Sequence, residues 1–93
     1  MFVWVKIYFF SVFGRGSISL ALEDDASVQD ALNALNEQFG RRYKKETGNS
    51  LMESFEGFFN IFLNDERLSL PSEYQKKLND NDRFIISRPI SGG

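Results

Sequence analysis

Residues 2–10 alternate as a β-strand does: Val3, Val5, Ile7 and Phe9 fall on one face, Trp4, Lys6, Tyr8 and Phe10 on the other. The odd positions are expected to face inward. Gly14 and Gly16 bracket Arg15 and signal a turn. Ile18, Leu20 and Leu22 then alternate with Ser17, Ser19 and Ala21, so a half-buried second strand closes a hairpin.

After the acidic turn Glu23–Ala26 the period changes. Ser27 with Asp30 three residues on forms a variant capping box, and Val28, Leu32, Leu35 and Phe39 recur at helical spacing. This predicts a helix of about three turns, with Gly40 placed to end it. Residues 41–57 are less regular: a basic run (Arg41, Arg42, Lys44, Lys45), a break at Gly48-Asn49, and Leu51, Met52 and Phe55 as a short apolar turn packed on the domain. They read either as a helix extension and loop or as an insertion.

Phe59, Ile61 and Leu63 are expected to face the core from a third strand, followed by a turn at Asn64-Asp65-Glu66 and a short fourth strand at Arg67–Leu70 that Pro71 stops. Leu78 plugs the core from a loop or a single helical turn. Asp80-Asn81-Asp82 is a turn in which Asn tolerates left-handed backbone, and Arg83–Ser87 is the last strand, with Phe84 and Ile86 on one face. The elements give an α+β domain: a mixed sheet of four to five strands with one main helix across it. One domain spans 1–93, with 87–93 as an extended tail ending in Gly92-Gly93.

Composition narrows the chemistry. There is no Cys, hence no disulfide or thiolate metal site, and no His, which removes the commonest general base and metal ligand. Asp80 and Asp82 are better explained by a turn than by acid/base work. No constellation of nucleophile and base is apparent, so a self-contained enzyme is the least favoured class. The net charge of −2 argues against nucleic acid as main partner, and no apolar run suits a signal peptide or membrane span. The expectation is a cytoplasmic protein, monomeric when alone. Ten Phe are many for 93 residues, leaving a surplus for a contact surface. Phe10, Phe62 and Trp4 either form an exposed docking patch or merely cover the second face of the sheet.

Several segments together resemble the MoaD- and ThiS-type sulfur carriers, β-grasp relatives of ubiquitin. They are the paired Phe9-Phe10, the helix start Ser27-Val28-Gln29-Asp30-Ala31-Leu32, Phe62-Leu63-Asn64-Asp65-Glu66, Leu78, Asp80-Asn81-Asp82-Arg83-Phe84-Ile85-Ile86, and Pro89-Ile90-Ser91-Gly92-Gly93. Asn81 stands where the family usually has Gly, Arg88 replaces the first tail Pro, and 41–57 is unmatched. The resemblance implies that the Gly93 carboxylate is adenylated by a MoeB- or ThiF-like enzyme using ATP and converted to a thiocarboxylate. The sulfur then serves molybdopterin synthesis with a MoaE-like large subunit, the chain itself being the non-catalytic small subunit, without bound cofactor or metal. A ThiS-like donation to thiazole synthesis, or isopeptide conjugation of Gly93 to target lysines, are the alternatives. Arg88, Pro89, Ile90, Ser91 and Gly92 would thread a partner's channel; seven extended residues reach about 23–25 Å, and glycines leave the backbone slim. Pro89 biases Arg88 toward extended geometry or simply ends the strand.

Overall fold

The computed structural model describes residues 2–11 and 14–88. Strands β1 (Phe2–Ser11) and β2 (Gly14–Glu23) pair antiparallel along their whole length, from Phe2 opposite Glu23 to Ser11 opposite Gly14. Helix α1 (Val28–Thr47) and helix α2 (Leu51–Gly57) follow, then β3 (Asn60–Leu63), β4 (Glu66–Arg67) and β5 (Asp82–Ser87). The sheet order is β2-β1-β5-β3-β4, with β5 at the centre, parallel to β1 and antiparallel to β3. This is the β-grasp arrangement expected from the sequence.

Val3, Val5 and Ile7 are buried as their alternation requires, and so are Phe59, Ile61, Leu63, Leu78, Phe84 and Ile86. All of these except Val3 join Val28, Ala31, Leu32 and Leu35 of α1 in one core between helix and sheet. Phe9 is only half-buried; its ring lies over Gly16 on β2, where a side chain would collide with it, and meets Phe39 of α1 at 5.8 Å between centroids.

The start of α1 is secured from three sides. Asp30 N–H donates to Ser27 Oγ (3.4 Å) while Ser27 N–H donates to Asp30 Oδ2 (2.8 Å), completing the capping box. The N–H groups of Val28 and Gln29, which have no partner inside the helix, donate to the carbonyls of Lys76 and Tyr74. Leu78 N–H donates to the Ala26 carbonyl, so the 74–78 segment both caps the helix and inserts Leu78 into the core.

Two elements depart from the sequence reading. Gly40 does not end α1; the helix runs 20 residues, to a left-handed Gly48 (φ 79°) whose N–H donates to the Lys44 carbonyl. The apolar stripe simply continues one step, Leu35, Phe39, Tyr43, and Tyr43 is buried. The fourth strand is two residues, at 66–67 rather than 67–70, while Leu68 turns inward to the core.

The 41–57 stretch is thus a helix extension plus α2, in which Leu51 and Phe55 are buried. Tyr43 Oη donates to Ser54 Oγ (3.0 Å), which donates on to the Ser50 carbonyl (2.9 Å), tying α2 to α1. At the loop, Tyr74 Oη donates to Glu56 Oε2 (2.8 Å). Burial, and then the hydrogen bond and charge of Glu56, push the Tyr74 phenol up from 10.0 to about 12. A folded-state value above the unfolded one means the stabilisation is complete below pH 10 and disappears as pH climbs toward 12. The expected result is a loss of stability across that window in chemical denaturation. Tyr74→Phe should remove most of this slope relative to the parent protein.

Candidate functional site

Val5, Ile7, Ile61, Leu63, Phe84 and Ile86 on one face of the sheet pack with α1, and the alternate side chains of the same strands point to the opposite face. Trp4, Lys6 and Tyr8 of β1 stand there beside Ala21, Ser19 and Ser17 of β2. The parallel pairing puts Lys6 next to Arg83 and Tyr8 next to Ile85. The antiparallel pairing puts Ile85 next to Phe62, and Phe62 next to Arg67. Tyr8, Ile85 and Phe62 therefore form a row across the three middle strands. Each is half-buried.

The rim is basic. Lys6, Arg83 and Arg67 flank the row, and Lys6 Nζ lies 5.5 Å from the centre of the Tyr8 ring. Beyond it Trp4 is 54% and Phe2 61% exposed. A strip of two aromatic rings about an aliphatic centre, with a charged rim, is the composition of a protein-docking surface.

Of the docking residues proposed from sequence, Phe62 lies in this strip and Trp4 at its end. Phe10 pairs in register with Arg15 and Ser87, but its side chain lies outside what the structure describes. Sequence reasoning missed Ile85 and Tyr8. The signal was present: with Phe84 and Ile86 inward, Ile85 must point outward.

Strand β5 carries the chain out from the sheet centre. Ser87 pairs with Asn60 and Phe10, and Arg88 follows, exposed. Arg88 shares a recess of about 360 Å³ with Tyr43, Thr47, Asn49, Glu53, Ser54, Gly57 and Phe58. Phe58, at the C-cap of α2, is 48% exposed and packs edge-on against Phe59. The remaining site residues read from sequence, Pro89, Ile90, Ser91, Gly92 and Gly93, lie outside the described residues.

The network behind the β5 start is structural. Asp82, 7% exposed, accepts from Asn64 Nδ2 (2.8 Å) and from Asn79 N–H (2.7 Å). Asn64 Oδ1 accepts from Arg83 N–H (3.0 Å), and Asn81 takes the left-handed backbone read from its sequence (φ 69°). Asp80 Oδ1 accepts from Trp4 N–H at 2.8 Å. Asp82 thus braces the turn from within, and Asp80 ties the turn to β1. Among the described residues no group of three or more acidic side chains converges as a metal-binding cluster, and no helix is long and apolar enough to cross a membrane.

The sheet order with α1 packed across it defines a ubiquitin-like β-grasp fold. The resemblance to MoaD- and ThiS-type proteins holds at the level of the fold. A putative molybdopterin converting factor subunit 1 from Pyrococcus furiosus superposes with a TM-score of 0.67, at 19% identity over 95% of this chain and 99% of that one. Small archaeal modifier protein 1 from Methanosarcina acetivorans gives 0.66, at 25% identity over 100% and 99%. Subunits 1 and 2 of the molybdopterin-converting factor from Helicobacter pylori form a protein–protein complex, a chain of which matches with a TM-score of 0.59, at 19% identity over 98% and 100%. No protein-family model matches the chain, and neither does any curated protein.

Proposed function

We propose that this protein is an acyl carrier of sulfur, with Gly93 as its reacting terminus and the Tyr8–Ile85–Phe62 strip as the surface that partners grip. The observation that carries the reading is where β5 ends. The central strand, which holds Ile85 between Tyr8 and Phe62, delivers the chain at exposed Arg88, and the sequence continues Pro89-Ile90-Ser91-Gly92-Gly93. The β-grasp fold shared with molybdopterin converting factor subunits and small archaeal modifiers supports it.

The chemistry requires little of the chain beyond presentation. The Gly93 carboxylate attacks the α-phosphate of ATP in a partner's site, releasing pyrophosphate and leaving an acyl-adenylate. Hydrosulfide, or an equivalent sulfur nucleophile supplied by the partner, attacks the acyl carbon and expels AMP, leaving a thiocarboxylate. Gly92 and Gly93 carry no side chain to obstruct a narrow channel, and a proline at 89 biases the residue before it toward extended backbone. A large-subunit partner that receives the sulfur for molybdopterin synthesis is the first acceptor we propose, by analogy with the two-subunit Helicobacter pylori complex.

A second reading uses the same acyl-adenylate. If a lysine amine attacks in place of sulfur, AMP leaves and an isopeptide bond joins Gly93 to a target. The 25% identity to small archaeal modifier protein 1 favours keeping it.

The test is ATP–pyrophosphate exchange with a MoeB- or ThiF-like activating enzyme. Labelled pyrophosphate should enter ATP only when this chain is present. Exchange that ignores the chain with every such enzyme from the same organism would remove both readings.

A further inference from the structure

The last turns of α1 and the start of α2 enclose a recess of about 400 Å³, lined by Asn36, Gly40, Arg41, Lys44, Lys45, Ser50 and Leu51. Three of these residues are cations and none is a carboxylate. All three are exposed, and among the described residues no ion pair engages any of them. Arg42, on the neighbouring side of the helix, is by contrast paired with Glu46 at 3.2 Å.

The helix dipole does not account for the cluster. It favours Lys44 and Lys45 in the last turn, but its influence fades within that turn, and Arg41 lies one turn earlier. Spacings of three and four residues put Arg41 beside both lysines, and like charges so placed repel. Gly40 adds a second oddity. A glycine inside a helix is unfavourable relative to alanine, yet here the Asn36 side chain lies where a Cβ would be. The sequence thus keeps a small residue and three repelling cations around one hollow.

The geometry points to this recess as a docking site for a short acidic segment of a partner protein. From residue 41 to residue 45 the helix rises about 6 Å, a span suited to two or three neighbouring carboxylates. A nucleic acid strand needs a longer basic track. Here it would run onto exposed Glu37 on one side and Glu53 on the other, on a chain of net charge −2. The site lies on the helical side of the domain and does not depend on the chemistry of Gly93.

The experiment is titration of the isotopically labelled full chain with an oligoglutamate peptide, followed by amide chemical shifts. Shifts should concentrate in residues 36–51 and weaken as salt rises. Reversing the charges together (Arg41→Glu, Lys44→Glu, Lys45→Glu) should weaken binding about tenfold or more, with the amide spectrum of the sheet unchanged. Reversing Lys76 and Lys77 should leave it intact. Shifts spread evenly over all basic residues, equal loss in the two variants, or tighter binding of a single-stranded oligonucleotide or inorganic tripolyphosphate than of the peptide would each overturn the proposal.

Discussion

Deleting Gly93 is expected to leave the fold intact and to cut sharply the pyrophosphate exchange of the activating enzyme we propose. The deletion follows β5 in sequence and changes none of the residues that make up the described core, so unfolding by denaturant should be unchanged. Chemically the effect is severe. The terminal carboxylate moves to Gly92 and falls short of its former position by about 3.3–3.6 Å, whereas a misplacement near 1 Å already costs about 10²-fold in rate. Exchange should therefore fall by at least about 10²-fold. Ile85→Asp supplies the contrast: it leaves Gly93 in place but sets a carboxylate in the middle of the aromatic strip, between Tyr8 and Phe62. That variant should raise KM for the chain and leave kcat close to the parent value, the signature of weakened docking without a chemical defect. Equal losses in kcat for both variants would mean that strip and terminus do not have separate roles.

Phe84→Ala is expected to cost about 3–5 kcal/mol of folding stability, the largest loss from a single side chain in this domain. Phe84 is fully buried at the centre of the middle strand, in register with Ile7 on one side and Leu63 on the other. It belongs to the same cluster as Leu32, Leu35 and Leu78. Removing the ring leaves a cavity that a sheet hydrogen-bonded on both sides cannot close. Since small domains are stable by only about 5–15 kcal/mol, the variant should be partly unfolded near physiological temperature. Ile85→Ala, one position along on the opposite face, should cost less than about 1.5 kcal/mol, because that side chain is only half-buried. Guanidinium titrations of the two variants measure the difference, and similar losses would show that the two faces are not distinct.

Much of this fold is legible because two periods are cleanly written. Alternation in β1 sorts Val3, Val5 and Ile7 from Trp4, Lys6 and Tyr8, and the structure buries the first set. Ser27 and Asp30 mark the α1 start by a mechanism local to four residues, so no tertiary knowledge was needed. Asn81 was readable for the same reason: left-handed backbone is a local property.

What was harder depended on distant partners. Gly40 reads as a stop, yet the helix passes through it because Tyr43 one turn on is held by Ser54 and by the Phe59 ring, 5.9 Å between centroids. Those contacts exist only once α2 has folded back. The exposure of Phe58 likewise follows from where α2 ends, since in the sequence it is one more apolar residue before a strand. The Tyr8–Ile85–Phe62 strip is intermediate. The parity of Ile85 was legible, but only the β1-β5-β3 register brings it between Tyr8 and Phe62. For the proposed reacting terminus, the Gly92-Gly93 motif and the family resemblance were the whole sequence signal.

The most direct test of the central claim is the intact mass of the chain after incubation with its activating enzyme, ATP and sulfide. The account predicts a gain equal to the exchange of one oxygen atom for one sulfur, located by fragmentation at Gly93. ATP consumed with the chain's mass unchanged, or sulfur bound anywhere other than that residue, would contradict it.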